Sequence, residues 1–263
     1  MGNFVVISKD IHKEKYWRKP ENLKYFENQT VFPILITEIG RAVNSFPLSF
    51  IKHEDNYIFV AILGLVPGEN LFLSKDGKWM GNYIPALMRA YPFRLIKGKE
   101  ERMVLAIDND FITEKKEDVP FFEGENLSKH TEEILRFLTE IERARILTVN
   151  ACKILSKLEL IEPWNLIIKT NNGDRKVEGL FKINEQKLLS LSDEEFLSLR
   201  KTGALQLAYG QLFSMGNLYI LGRLAQMKYE GLQRLKPEPE KSDTFIDDID
   251  VEELFKNLKF PDH

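Results

Sequence analysis

Glu69, Asp76 and Arg89 are charges set within an aromatic and turn-rich stretch, Phe59 to Phe93. Carboxylates among buried aromatic rings tend to have shifted pKa values. Glu69 and Asp76, together with His12 and Tyr83, are therefore candidates for acid–base work on a substrate. The same stretch also suits binding without chemistry. Glu69 and Arg89 would then be polar anchors, Trp79 and Tyr83 the aromatic walls, and Asn70, Asp76 and His12 further contacts. Each residue has a plain local explanation as well: a turn-capping Glu69, a hairpin Asp76, a solvated Arg89 and a structural His12. Either functional role requires convergence in one pocket.

Other chemistries find less support. Cys152 is the only cysteine, so no intrachain disulfide can form, and its place on the apolar side of a helix suits packing rather than nucleophilic attack. His53, Glu54 and Asp55 are consecutive, and consecutive side chains rarely converge on one metal. Asp108-Asn109-Asp110 opens like a calcium loop, but the sixth position is Thr113 rather than Gly and the twelfth is Val119 rather than Glu. No nucleophile elbow or phosphate loop is present, and neither a metal nor a cofactor is expected.

Composition sets the bounds. The 263 residues, 43% hydrophobic and 29% charged, are ordinary for a globular chain able to bury a sizeable core. A net charge of −3 argues against a nucleic-acid footprint. The N-terminus lacks a basic region and a long apolar run, so a cytoplasmic protein is expected, with a surface location open by a route that needs no signal peptide.

The elements that would position the central stretch can be read from pattern. Tyr57 to Leu65 is a buried strand leaving through a turn at Pro67-Gly68. Leu71 to Leu73 and the segment from Trp79 flank a hairpin at Ser74-Lys75-Asp76-Gly77. Pro85 opens a short helix that stops before Pro92, with Tyr83, Leu87 and Tyr91 on one face. Upstream, Phe4 to Ser8 is a strand, Val31 to Ile36 leads into a helix reaching about Ser45 with Glu38 and Arg41 as a surface pair, and Leu48 to Lys52 pairs with Tyr57 to Leu63. Phe93 to Ile96 and Met103 to Ile107 make another hairpin.

Beyond residue 112 the pattern changes. The acidic segment 113–127 is expected to be a linker or mobile loop pinned by Phe121 and Phe122. Ser128 caps a long helix whose apolar stripe would be Phe137, Ile141, Ala144, Leu147, Ala151, Ile154 and Leu158. Trp164 to Thr170 and Arg175 to Ile183 form a hairpin, Ser192 with Glu195 makes a capping box, and Gly203 breaks a helix. Ala204 to Ala225 is long enough to cross a bilayer, but its spread of polar residues favours a buried helix packed at Gly210, Gly216 and Gly222. Residues 233–263 read as an acidic linker and a short helix, with Ile249, Leu254, Phe255 and Leu258 on the apolar side, that docks on its own domain or on a partner.

The whole is an α+β chain: a mostly antiparallel sheet in residues 1–112, then a helix-rich segment 128–232 carrying a β-hairpin over 164–183, the two sharing one core.

Gly64-Leu65, Pro67-Gly68-Glu69-Asn70-Leu71-Phe72, Asp76-Gly77-Lys78-Trp79, Tyr83-Ile84-Pro85-Ala86, Arg89 and Tyr91-Pro92-Phe93 resemble the SapC family of bacterial proteins. His12, Phe46-Pro47, Leu180 to Glu185 and Gly203-Ala204-Leu205 fit the same pattern, so the resemblance covers residues 4 to 225. That family takes its name from a component linked to crystalline surface layers. The resemblance implies an accessory or binding protein in surface-layer biogenesis or protein export, with another protein or peptide as partner; the net charge argues against nucleic acid and the polar residues of 204–225 against membrane association. The alternative is an enzyme, or the partner of one, acting on peptides or sugars through a pocket around Glu69, Asp76 and Arg89.

Overall fold

The nearly continuous apolar sequence around Phe59 lies at the centre of a sheet. The computed structural model describes residues 3–98, 102–170 and 173–233. The N-terminal half runs β1 (Phe4–Val6), α1 (Lys9–His12), β2 (Tyr16–Trp17), β3 (Val31–Pro33), α2 (Ile39–Ala42), β4 (Leu48–His53), β5 (Asn56–Ile62), α3 (Ala86–Ala90), β6 (Phe93–Lys97) and β7 (Met103–Asp108). Four short strands follow: β8 (Ile112–Thr113), β9 (Val119–Pro120), β10 (Phe122–Glu123) and β11 (Asn126–Leu127). The C-terminal half holds α4 (Lys129–Lys157), β12 (Ile161–Pro163), β13 (Leu166–Thr170), β14 (Gly173–Val177), β15 (Leu180–Ile183), α5 (Glu185–Leu189), α6 (Asp193–Thr202), α7 (Ala204–Ser214) and α8 (Leu218–Gln233).

The fold is α+β, with antiparallel sheets in the N-terminal half and helices in the C-terminal half. The main sheet has the order β12-β15-β4-β5-β3. Its centre is the expected hairpin, with Phe50 opposite Phe59 and Ile51 opposite Ile58. Phe59, Val60, Ala61 and Ile62 are all buried, which explains why this strand is apolar on both faces. β15 brings the C-terminal half into the same sheet, Leu180 opposite Ile51 and Phe181 opposite Phe50. One hydrophobic cluster accordingly combines Phe46, Phe50 and Phe72 with Cys152, Leu199 and Leu207. A second cluster holds Trp17, Phe93 and Phe121 against Leu138, Ile141 and Ala144 of α4.

Buried and half-buried polar side chains fasten the halves together. Gln211 of α7 accepts from the Ile183 amide (2.9 Å) and donates to the Leu48 carbonyl (3.3 Å). Ser214 accepts from the Leu48 amide (2.9 Å), and Asn217 donates to the Val43 and Phe46 carbonyls (2.6 and 2.9 Å). On α4, Thr148 accepts from the Ile36 amide at 2.9 Å. These bonds supply partners at backbone sites that ladder pairing leaves open.

Several expectations need correction. The acidic segment after residue 112 is woven into the fold: β8 and β9 pair with either side of β2, and Phe121 is fully buried. The segment 12–19, which reads as a loop or one helical turn, holds a strand at Tyr16–Trp17, since two residues show no periodicity. The apolar stripe of α4 is broader than the expected one: Ile141, Ala144 and Ala151 are buried as expected and are joined by Leu138, Thr148, Cys152 and Leu155, whereas Leu147 is 52% exposed. Leu71 to Leu73 contributes a single bridge, Leu73 to Trp79, rather than a strand. The segment 175–183 is two strands: β14 pairs with β13, and β15 departs after Gly179 to join β4.

The apolar segment 204–225 is not one helix. It breaks at Met215–Asn217 into α7 and α8, and among the described residues no helix is long and apolar enough to cross a membrane. Of the glycines expected to pack closely, Gly210 does, against Ile39, whereas a Cβ at Gly216 or Gly222 would meet nothing within 4 Å. Gly203 ends α6 and starts α7 at φ +76°, as its position implies. The expected linker and helix after residue 233 lie outside the described residues.

Candidate functional site

A carboxylate far from the central stretch in sequence organises its geometry. Glu38 sits in a 3₁₀ turn, Ile36–Glu38, just before α2, and is only 4% exposed. Its Oε2 accepts from the Leu35 amide at 2.9 Å, closing its own turn. Its Oε1 accepts from the Ala86 amide at 2.6 Å and from the Tyr83 hydroxyl at 2.8 Å. The carboxylate thus satisfies the first amide of α3, where the residue before it, Pro85, offers no side-chain cap. Buried charge is tolerated only when hydrogen-bonded in this way. Glu38 was expected on the surface beside Arg41; the guanidinium of Arg41 instead lies 5.8 Å from the centre of the Tyr83 ring.

Tyr83 is held from several sides. Burial, followed by the Glu38 hydrogen bond and charge, pushes its phenol up to about 12. The Arg89 guanidinium reaches the Tyr83 hydroxyl at 3.4 Å, donates to the Ile84 carbonyl at 3.1 Å and lies over the Tyr83 and Phe137 rings at 5.7 and 5.1 Å. The Trp79 indole N–H donates to the Tyr83 carbonyl at 2.7 Å, and its ring stacks on Phe72, with 5.3 Å between centres. The loop crosses this stacked pair at Gly81, where a Cβ would come within 2.8 Å of Phe72 and 2.9 Å of the indole nitrogen. Trp79, Tyr83 and Arg89 are therefore brought together, with Glu38 as the residue that spacing alone did not reveal.

The remaining predicted site residues have separate surroundings. Asn70 is buried and donates to the Phe26 carbonyl (3.1 Å) while accepting from the Phe72 amide (3.0 Å), so both its polar ends serve the chain path. Glu69 pairs with Lys228 of α8 at 3.1 Å. Asp76 lies on the expected hairpin, where the Ser74 hydroxyl at 2.6 Å and then Lys78 hold its carboxyl down at about 2. His12 packs on the edge of the second cluster. It packs edge-on against Phe121 at 5.4 Å, with Nδ1 3.2 Å from the Ser8 amide nitrogen and 3.1 Å from the Ser8 carbonyl. Burial lowers its pKa, opposed by the Ser8 bond. Cys152 is buried, and desolvation pushes its thiol up to about 12, so it is inert. Among the described residues no group of His, Cys, Asp or Glu has the geometry of a metal site.

The loop that crosses the Phe72–Trp79 stack also forms one wall of an open groove of about 320 Å³. Met80 and Asn82 line it from the loop, and Tyr219, Arg223, Leu224 and Met227 line it from α8. Tyr219 and Met227 are 62% and 58% exposed. Lys228 pairs with Glu69 of the preceding turn, and Leu221 and Leu224 of α8 are buried. The groove offers apolar, adaptable side chains with one guanidinium and the amides of Asn44 and Asn82.

The SapC family model matches residues 7–221, a range that contains the whole Glu38–Tyr83 arrangement and the loop wall of the groove. No curated protein and no solved structure matches the chain.

Proposed function

The chain belongs to the SapC family, and from this premise we propose that it is an accessory protein that holds a segment of another protein or peptide, in surface-layer biogenesis or protein export. The supporting observation is the groove between the loop at Met80–Asn82 and α8. Its exposed Met80, Tyr219 and Met227 can repack around varied apolar side chains, and Arg223 favours a segment that also carries an acidic group. Glu38, Tyr83 and Trp79 would be positioning residues that keep the loop wall in place. Glu69, Asp76 and Arg89 serve an ion pair to α8, a hairpin and an aromatic stack respectively.

The experiment is native mass spectrometry of the protein drawn gently from its own host, with wild type compared against a Tyr219→Ala/Met227→Ala double variant. Both side chains are exposed, so folding should be unaffected. A defined protein or peptide on the wild type that is absent from the variant supports the proposal. No protein or peptide on the wild type, or one retained equally by both, would count against it.

A further inference from the structure

A second cleft, of about 130 Å³, opens where α3, α4, β3 and β6 meet. Its aromatic wall is rigid. Tyr25 and Tyr91 stack with 4.3 Å between centres, and Phe26 meets both Tyr91 and Phe32 edge-on at 5.5 Å. Leu138 and Ile141 of α4 contribute aliphatic surface to its lining. The Tyr91 hydroxyl is committed to Asp108, to which it donates at 3.1 Å.

The polar groups of this cleft are unevenly matched. Arg145 is spent on Glu142, donating through two nitrogens at 2.8 and 2.7 Å. Arg94 lies 3.8 Å from the centre of the Phe4 ring, and its Nε–H is buried with no hydrogen-bond acceptor among the described residues. A buried guanidinium N–H without an acceptor is costly, and an acceptor supplied by a ligand relieves that cost. The Glu142–Arg145 pair is neutral, which leaves Arg94 as the cation that a ligand would balance.

We propose that this cleft binds a small apolar monocarboxylate, with its ring or short chain among Tyr25, Phe26 and Tyr91 and its carboxylate accepting from Arg94. Size restricts the ligand to a small ring or short chain, since an apolar cavity of roughly 150 Å³ takes a benzene and this open cleft holds about 130 Å³. Charge favours a monoanion, because a dianion would bring a second, unbalanced charge into an apolar site. The groove at α8 shares no lining residue with this cleft, so the proposal stands apart from the partner-binding function.

The test uses the purified full chain, titrated calorimetrically with benzoate, hexanoate and benzyl alcohol, while the Arg94 Nε–H resonance is followed by NMR. Benzoate or hexanoate should saturate one site and shift that resonance. Benzyl alcohol and the Arg94→Gln variant with benzoate should bind about tenfold more weakly or worse, as loss of a charge-assisted hydrogen bond implies. Absence of saturable binding, equal affinity for benzyl alcohol, or a wild-type Arg94 resonance that stays put during saturation would overturn the proposal. The last two readouts need no variant, so a poorly folding Arg94→Gln leaves the test intact.

Discussion

Tyr83 donates its hydroxyl hydrogen to Glu38 at 2.8 Å, joining residues 45 positions apart in sequence inside the protein. The same carboxylate oxygen takes the Ala86 amide, so one buried side chain fixes both the start of α3 and the aromatic ring packed beside Trp79, Arg41 and Arg89. Removing it should therefore be costly. Glu38→Ala leaves the Leu35 and Ala86 amides and the Tyr83 hydroxyl without an acceptor, and a buried unpaired donor costs about 1–3 kcal/mol. Urea denaturation should show a loss of about 3 kcal/mol or more, with Glu38→Gln falling between the wild type and Glu38→Ala because an amide keeps one accepting oxygen.

Tyr83 should also mark the alkaline limit of stability. Its folded pKa of about 12 is above the ordinary value near 10. Between those values the unfolded chain gives up a proton that the folded protein keeps, so stability is complete below about pH 10 and falls as pH rises toward 12. Tyr91 is shifted in the same direction by burial and by Asp108. Tyr83→Phe should flatten the fall measured by denaturant midpoints over that range, and Tyr83→Phe/Tyr91→Phe should flatten it further. An unchanged slope in both variants would contradict the burial of these phenols.

His12 should act at the opposite end of the scale. Burial against Phe121 lowers its pKa below 6.5. The unfolded state then takes up a proton first as pH falls, so the stability held above about pH 6.5 declines as pH drops through the lowered folded value. Urea midpoints at pH 8 and pH 5 should differ less in His12→Gln than in the wild type, whatever the absolute stability of the variant.

Two glycines separate packing from propensity. In α8, Gly222 has open space at its Cβ position, so Gly222→Ala should stabilise the protein by about 0.5–1 kcal/mol through helix propensity. In α7, a Cβ at Gly210 would come within 2.9 Å of Ile39, so Gly210→Ala should lose that gain or reverse it. Thermal melts of the two variants should move in different directions from a shared helix-propensity expectation.

How much of this was legible in sequence depended on range. Local signals worked: Ser192 with Glu195 formed its capping box, Ser128 capped α4, and the apolar strands on either side of His53–Asn56 paired as a hairpin. Non-local partners were hidden. Glu38 looked like a surface residue because its i, i+3 neighbour is Arg41 and the residue it reaches back to is Leu35, not the serine or threonine that advertises a cap. The helix break at Met215–Asn217 was masked because Asn217 spends its amide on the Val43 and Phe46 carbonyls, which lie far away in sequence. Among the site candidates, Trp79, Tyr83 and Arg89 came together because one short loop and the α3 helix that follows it carry them. Glu69, Asp76 and His12 went to an ion pair, a hairpin and a separate cluster, destinations set by tertiary partners that spacing does not encode.

The most direct test of the proposal that the groove holds a partner is site-specific photo-crosslinking in the native host, with the reactive side chain at Met80 or Met227 and a control at His130 on the exposed start of α4. A covalent adduct to one defined host protein from positions 80 and 227, and none from 130, is the predicted result. Adducts of equal yield from all of these positions, or none from the groove, would contradict it.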